Sequence, residues 1–275
     1  MKGLYRRNGN GWFLSSAQLL FPVPAAIIEI ERLAGCGNAG QSKRARHRKV
    51  QGGERMSRKL TEQIPSESRL VDAALKENLK TIFERLERPL CLKAVLEPDQ
   101  RECTEMGAFL KAVAELSPML ELQLLEKGED PQADRELDTA HLPVTGLYQE
   151  GEYLGAAFCG VPGGKEINSF VSAILNAAGP KKEYDEKILK KLGKLKKKNV
   201  IRVCVSLSCH HCQSVVTAGQ TLALLSPNVE CIMIDARLYP DLVEQYKLSR
   251  VPAVLIGEAL YMGEKDMEEL LALLR

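Results

Sequence analysis

Several things are scarce in this sequence, and each scarcity narrows what the chain does. Aromatic residues make up 5% of its 275 residues, with a single tryptophan. No charge sign dominates, because 38 basic side chains face 36 acidic ones for a net +2. That balance argues against a nucleic-acid binder held by bulk charge. No uninterrupted apolar run approaches the roughly 18 residues that span a bilayer, so no membrane partner is expected. Eight cysteines occur, and only Cys209 and Cys212 lie close together. A small secreted domain stapled by disulfides would carry a denser framework. Cys91, Cys159, Cys204 and Cys231 read as small buried hydrophobes in a reducing compartment, and a cytoplasmic location is expected.

What remains is a soluble-protein composition, 45% apolar and 27% charged. The length suits two domains of roughly 100–150 residues. Residues 1–55 stand apart, with ten Lys or Arg against three Glu and a basic cluster from Lys43 to Lys49. Gly35-Cys36-Gly37-Asn38-Ala39-Gly40 fits a dinucleotide-binding glycine pattern, but no strand and helix flank it. Leu33-Ala34-Gly35-Cys36 has the look of a lipoprotein cleavage box. Glu29, Glu31 and Arg32 interrupt the uncharged stretch that export requires, and Pro22 and Pro24 break it. The expectation is a disordered basic extension over residues 1–56, or a start codon placed too early, with translation opening at Met56.

After Met56 the pattern repeats. In the second half, a Lys-rich segment from Lys181 to Lys198 carries Tyr184, Ile188, Leu189 and Leu192 at helical spacing, its lysines a solvated face. A buried strand is expected at Asn199–Ser206, and Cys209 opens a helical run to about Leu225. Strands at Val229–Asp235, Ala253–Ile256 and Ala259–Tyr261 follow, with helices at Asp241–Tyr246 and Lys265–Leu274. The first half gives nearly the same order. It runs helix Ser68–Leu86, strand Leu90–Leu96, helix Glu102–Leu116, strands Leu120–Leu125, Val144–Tyr148 and Glu152–Ala156, and helix Glu166–Ala178. Leu142-Pro143-Val144 corresponds to Val251-Pro252-Ala253. The stretch Lys127–Thr139 is too rich in Asp, Pro and Gly for a helix, so the first copy reads as reduced by one element. Gly179-Pro180 marks the boundary between the copies. The domains are therefore drawn at 57–179, lacking a C-x-x-C, and 180–275, redox-active. Both are expected to be thioredoxin-like α/β folds, a mixed sheet flanked by helices.

Cys209-His210-His211-Cys212 carries the chemistry. Two thiols three residues apart at a helix start are close enough to form a small-ring disulfide. Unpaired N–H groups and partial positive charge there favour a thiolate at Cys209. Cys212, one turn in, would resolve the mixed disulfide. An imidazolium at His210 or His211 would favour the thiolate further, so both histidines are site-tuning candidates. Val251-Pro252 stands some forty residues downstream, before another strand. Such a proline is often cis, and its backbone would receive an incoming chain as an added strand. A zinc site is the competing reading of the four ligand-type residues, but adjacent histidines on one turn point apart. A structural zinc usually draws a second ligand pair from elsewhere. No metal is expected. Cys103 falls near the position where the first copy would carry its own site, without a partner three residues away, and reads as a relic or a lone surface thiol.

From about Leu70 to Arg275 the chain resembles the N-terminal double-thioredoxin module of the alkyl hydroperoxide reductase flavoprotein subunit. The matching segments are Ser206-Leu207-Ser208-Cys209-His210-His211-Cys212, Ile234-Asp235, Val251-Pro252-Ala253-Val254 and Ala114-Glu115-Leu116-Ser117. Phe158-Cys159-Gly160-Val161-Pro162-Gly163-Gly164-Lys165-Glu166 with Ser169-Phe170-Val171 matches as well. Protein disulfide oxidoreductases built from two glutaredoxin-like units share the architecture. The resemblance implies an electron relay, in which the dithiol takes reducing equivalents from a flavoprotein and passes them to a peroxiredoxin. It also implies that Glu166 lies near the crevice between the units and modulates the thiols. His211 departs from the family's usual third motif residue, and Ser208 from the tryptophan of ordinary thioredoxins. No flavin domain follows Arg275, so FAD and NAD(P)H are expected only on a thioredoxin-reductase-like partner. No bound cofactor is expected beyond the Cys209–Cys212 disulfide. The alternatives are a general protein disulfide oxidoreductase and a non-enzymatic zinc-binding or scaffold module.

Overall fold

A computed structural model of the chain describes residues 60–275. The glycine pattern, the cleavage box and the Met56 start all lie outside the described residues. The described chain folds around one eight-stranded sheet, ordered β2-β1-β3-β4-β6-β5-β7-β8. The strands are β1 (Leu90–Leu96), β2 (Leu120–Glu126), β3 (Val144–Gln149), β4 (Glu152–Cys159), β5 (Asn199–Val205), β6 (Val229–Asp235), β7 (Ala253–Ile256) and β8 (Ala259–Met262). The helices are α1 (Ala73–Phe83), α2 (Arg101–Ala114), α3 (Pro131–Glu136), α4 (Ile167–Ala178), α5 (Glu186–Leu192), α6 (Cys212–Leu225), α7 (Pro240–Gln245) and α8 (Met267–Leu273).

Each half repeats one pairing pattern. β1 lies parallel to β2 and antiparallel to β3, which pairs with β4; β5 does the same with β6, β7 and β8. The two halves are in register along the sequence. Leu90 and Asn199 open equivalent strands 109 residues apart, as do Leu120 and Val229. Leu142–Pro143 and Val251–Pro252 are both cis, again 109 apart. These are two thioredoxin-like units.

The units are joined through the sheet itself. β4 runs parallel to β6, with Ala156 opposite Cys231 and Cys159 opposite Ile234. Gly155 permits this approach, since it holds φ +77° and a Cβ there would stand 2.7 Å from the Val229 carbonyl oxygen. Gln220, fully buried on α6, donates its amide to the Ala157 carbonyl at 2.9 Å. Tyr153 donates to Glu230 at 3.1 Å, and Lys198 pairs with the other Glu230 oxygen at 2.9 Å. No sequence period announces this contact, because it pairs strands from opposite halves.

Alternating strand residues sort onto two faces. Ile201, Val203 and Val205 of β5 pack with α2, α4 and α6, whereas Cys204 faces the layer that holds α3 and α7. Phe170 of α4 meets Phe109 at 5.6 Å and Phe158 at 5.2 Å between ring centroids, filling the first unit.

Three expectations change here. The first unit is not reduced, because Pro131–Glu136 forms α3. Asp130 caps it by accepting from the Gln132 and Ala133 N–H groups, and Pro131 sits at its first position. The residues read as helix-breaking are thus a helix start. The Lys-rich helix is confined to Glu186–Leu192, where Leu189 is exposed and Leu192 is buried. The second unit's long helix begins at Cys212, three residues later than expected.

Candidate functional site

β5 ends at Val205 and the chain turns before entering α6. The Cys209 N–H closes that turn onto the Ser206 carbonyl at 2.8 Å. Cys209 stands half-exposed in the turn, and Cys212 is fully buried as the first residue of the helix. A disulfide joins them, with Cα atoms 5.6 Å apart. The difference in exposure is imposed by geometry: Cys212 faces the core beside Val215 and Val216, while Cys209 lies on the rim. Ser214 donates to the His211 carbonyl at 2.8 Å, so the helix start has no side-chain cap from His211. The first-turn N–H groups of a fourteen-residue helix supply partial positive charge at this end.

The structure brings most of the sequence candidates to this rim. Val251–Pro252 precedes β7, whose Ala253 pairs with Cys204 near the end of β5. The Pro252 carbonyl accepts from Gly263 at 2.9 Å. His211 meets Glu264 at 2.6 Å, Nδ1 to Oε1, whereas His210 is exposed and makes no side-chain hydrogen bond among the described residues. Glu264 is a residue that sequence reasoning missed. It lies 53 positions from His211, and no local spacing signals the pair.

Glu166 reaches the site from the first unit. It ends a 3-10 turn, Gly164–Glu166, that packs against α6. The Lys165 N–H binds the Leu207 carbonyl at 2.9 Å, stitching this turn to the loop before the thiols. Glu166 is completely buried, with one carboxylate oxygen accepting from Ser169 at 2.6 Å and the other unpartnered. Burial pushes its carboxyl up to about 7; the Ser169 bond opposes this and Asp235 adds to it. A buried proton-holding carboxyl therefore lies beside the dithiol helix.

The remaining cysteines are placed differently. Cys159, Cys204 and Cys231 are buried, and burial raises all three thiols, Cys204 to about 12. Cys91 is half-buried and raised to about 11 by burial. Cys103 is not a surface thiol, being 1% exposed on the inner face of α2. Among the described residues, no group of three or more His, Cys, Asp or Glu is placed to hold a metal. Nor is any described helix long and apolar enough to cross a membrane.

Known proteins carry the same arrangement. A thioredoxin domain model matches residues 199–275. The crystal structure of the NTD_N/C domain of alkylhydroperoxide reductase AhpF from Enterococcus faecalis superposes with a TM-score of 0.70 at 30% identity, covering 74% of this chain and 99% of that one. The chain belongs to the AhpF family of alkyl hydroperoxide reductases. Within that family, the AhpF protein of Pseudomonas putida is 31% identical over 203 residues, or 74% of this chain. The chain spans 37% of the length of that relative. A protein disulfide oxidoreductase from Aeropyrum pernix has a TM-score of 0.68 at 19% identity, covering 74% of this chain and 92% of that one, a likeness of fold. The family's thioredoxin-fold module, and a disulfide at the start of a thioredoxin helix, are thus what this chain presents.

Proposed function

We propose that this chain is a thiol–disulfide oxidoreductase that carries electrons as a dithiol between a thioredoxin-reductase-like flavoprotein and a peroxiredoxin or another disulfide protein. The observation that carries the reading is the Cys209–Cys212 disulfide, with one sulfur on the rim and one in the core. In the reduced carrier, the Cys209 thiolate attacks one sulfur of a target disulfide. The displaced target sulfur leaves as a thiolate and takes a proton. Cys212 then loses its proton and attacks Cys209, releasing the second target thiol and closing the carrier's disulfide. Two electrons and two protons pass to the target. A partner dithiol reverses the sequence and refills the carrier. FAD and NAD(P)H belong to that partner.

The flanking groups take supporting roles. Val251 and Pro252 offer backbone to the target chain. His210 and His211 tune the thiolate. Glu166, its carboxyl poised near neutrality, takes or returns the proton that Cys212 must exchange. Residues 180–275 form the redox domain, and residues 57–179 a companion that supplies Glu166 to the site. The five free thiols of the described chain suit a reducing cytoplasm.

The test is a reconstituted relay with a flavoprotein reductase, NAD(P)H and a peroxiredoxin. The proposal expects NAD(P)H oxidation that depends on this chain and is abolished by Cys209→Ser. Turnover unaffected by Cys209→Ser, or none with any reductase, would refute it.

A further inference from the structure

His211 lies inside the four-residue loop that the disulfide closes, and its Nδ1 stands 2.6 Å from Glu264 Oε1. Glu264 comes from a different part of the chain, the turn between β8 and α8. The residue before it, Gly263, donates its N–H to the Pro252 carbonyl at 2.9 Å. Two successive residues of one turn therefore hold both walls of the site, the proline loop through Gly263 and the helix start through Glu264.

We propose that Glu264 is a positioning residue for the dithiol, acting through the His211 ring. This rests on the reading of Cys209 as the attacking thiol. A carboxylate at Nδ1 keeps a proton on that nitrogen, fixes the ring's orientation and favours the imidazolium. A separation of 2.6 Å belongs to the charge-assisted class of contacts. The ring is built into the loop that carries Cys209, whereas the carboxylate reaches in from outside. The positive end of the pair is thus the end attached to the dithiol loop, and positive charge there favours the Cys209 thiolate. The same ring can deliver its proton to the sulfur displaced from the target: imidazolium becomes imidazole, thiolate becomes thiol, and no electrons move.

Other titratable groups lie on the surrounding elements. His210 precedes the ring, and Lys265 reaches the Glu264 carbonyl oxygen at 3.3 Å. Arg250 leads into the proline loop, and Lys165 and Glu166 approach from the first unit through Leu207. The His211 and Glu264 side chains are 66% and 59% exposed, so solvent screens their attraction. The expected effect on the thiolate is accordingly modest, about threefold.

The test uses the full chain, reduced, with the rate of Cys209 alkylation followed against pH by peptide mass. The proteins are wild type, Glu264→Gln, Glu264→Asp, His211→Asn and the double variant Glu264→Gln/His211→Asn. Glu264→Gln is expected to move the midpoint of the profile upward and to slow alkylation about threefold near pH ~6.5. Glu264→Asp is expected to recover most of the rate, and Glu264→Gln to add nothing once His211 is Asn. An unchanged or lowered midpoint overturns the proposal, and so does a shift that persists without His211. Wild-type protein that never closes the Cys209–Cys212 disulfide overturns the dithiol reading and this proposal together. A wild type that cycles, with Glu264→Gln keeping its profile, overturns the positioning role alone.

Discussion

The Cys103 thiol donates to the Gln100 side-chain carbonyl across 3.6 Å, and these two residues stand 109 positions before Cys212 and Cys209. That is the spacing at which the two cis prolines and the two central strands recur. The turn repeats with it, since Gln100 N–H binds the Glu97 carbonyl as Cys209 N–H binds that of Ser206. Cys103 and Cys212 are both buried on the inner side of their helices. The first unit therefore keeps the buried sulfur, the helix start and the proline loop of a dithiol site. It has glutamine in place of the rim sulfur.

It follows that Gln100→Cys installs a rim thiol at a position already shaped for one. Peptide mapping of the oxidised variant is expected to find a second disulfide, between position 100 and Cys103. If only the Cys209–Cys212 disulfide forms, the two helix starts are not equivalent.

Stability should depend on pH through Glu166. The folded carboxyl titrates at about 7 against an ordinary 4.5, chiefly because it is buried. As pH rises, the unfolded chain gives up this proton first, so the carboxyl's contribution is full at low pH and is lost through the folded value. The loss is on the order of 3 kcal/mol. Urea unfolding at low and at mildly alkaline pH is expected to show wild type losing this increment and Glu166→Gln retaining it. Parallel pH dependence in the two proteins would rule the effect out.

The seam between the units should be weakened by Tyr153→Phe. Tyr153 donates to Glu230, which is buried and paired with Lys198. Removing the hydroxyl leaves one charged acceptor short of a partner, at a cost of about 1–2 kcal/mol. A lowered urea midpoint with an unchanged slope is the expected result.

Much of this fold is legible in the sequence where local pattern decides. The strands Leu90–Leu96, Val229–Asp235 and Ala253–Ile256 are apolar runs that can only be buried, and the structure returns those bounds. The repeat is visible because proline follows an apolar residue at Pro143 and at Pro252. α3 is not, because only Ala133 of its six residues is buried and its capping signals resemble a loop. The joining of β4 to β6 and the contact of His211 with Glu264 are tertiary, and neither leaves a local period. Cys103 escapes sequence reasoning for a related reason: without a partner thiol, nothing in the local pattern marks it as facing inward.

The central claim is that Cys209 and Cys212 form a two-electron couple that cycles. Its most direct test is equilibration of the native chain in thiol–disulfide buffers of graded potential, with free thiols trapped and mapped at each step. The account expects one two-electron transition, confined to these two cysteines and absent in Cys209→Ser and in Cys212→Ser. A disulfide that stays closed, or stays open, across the whole range of buffers would contradict it, as would a transition that survives either substitution.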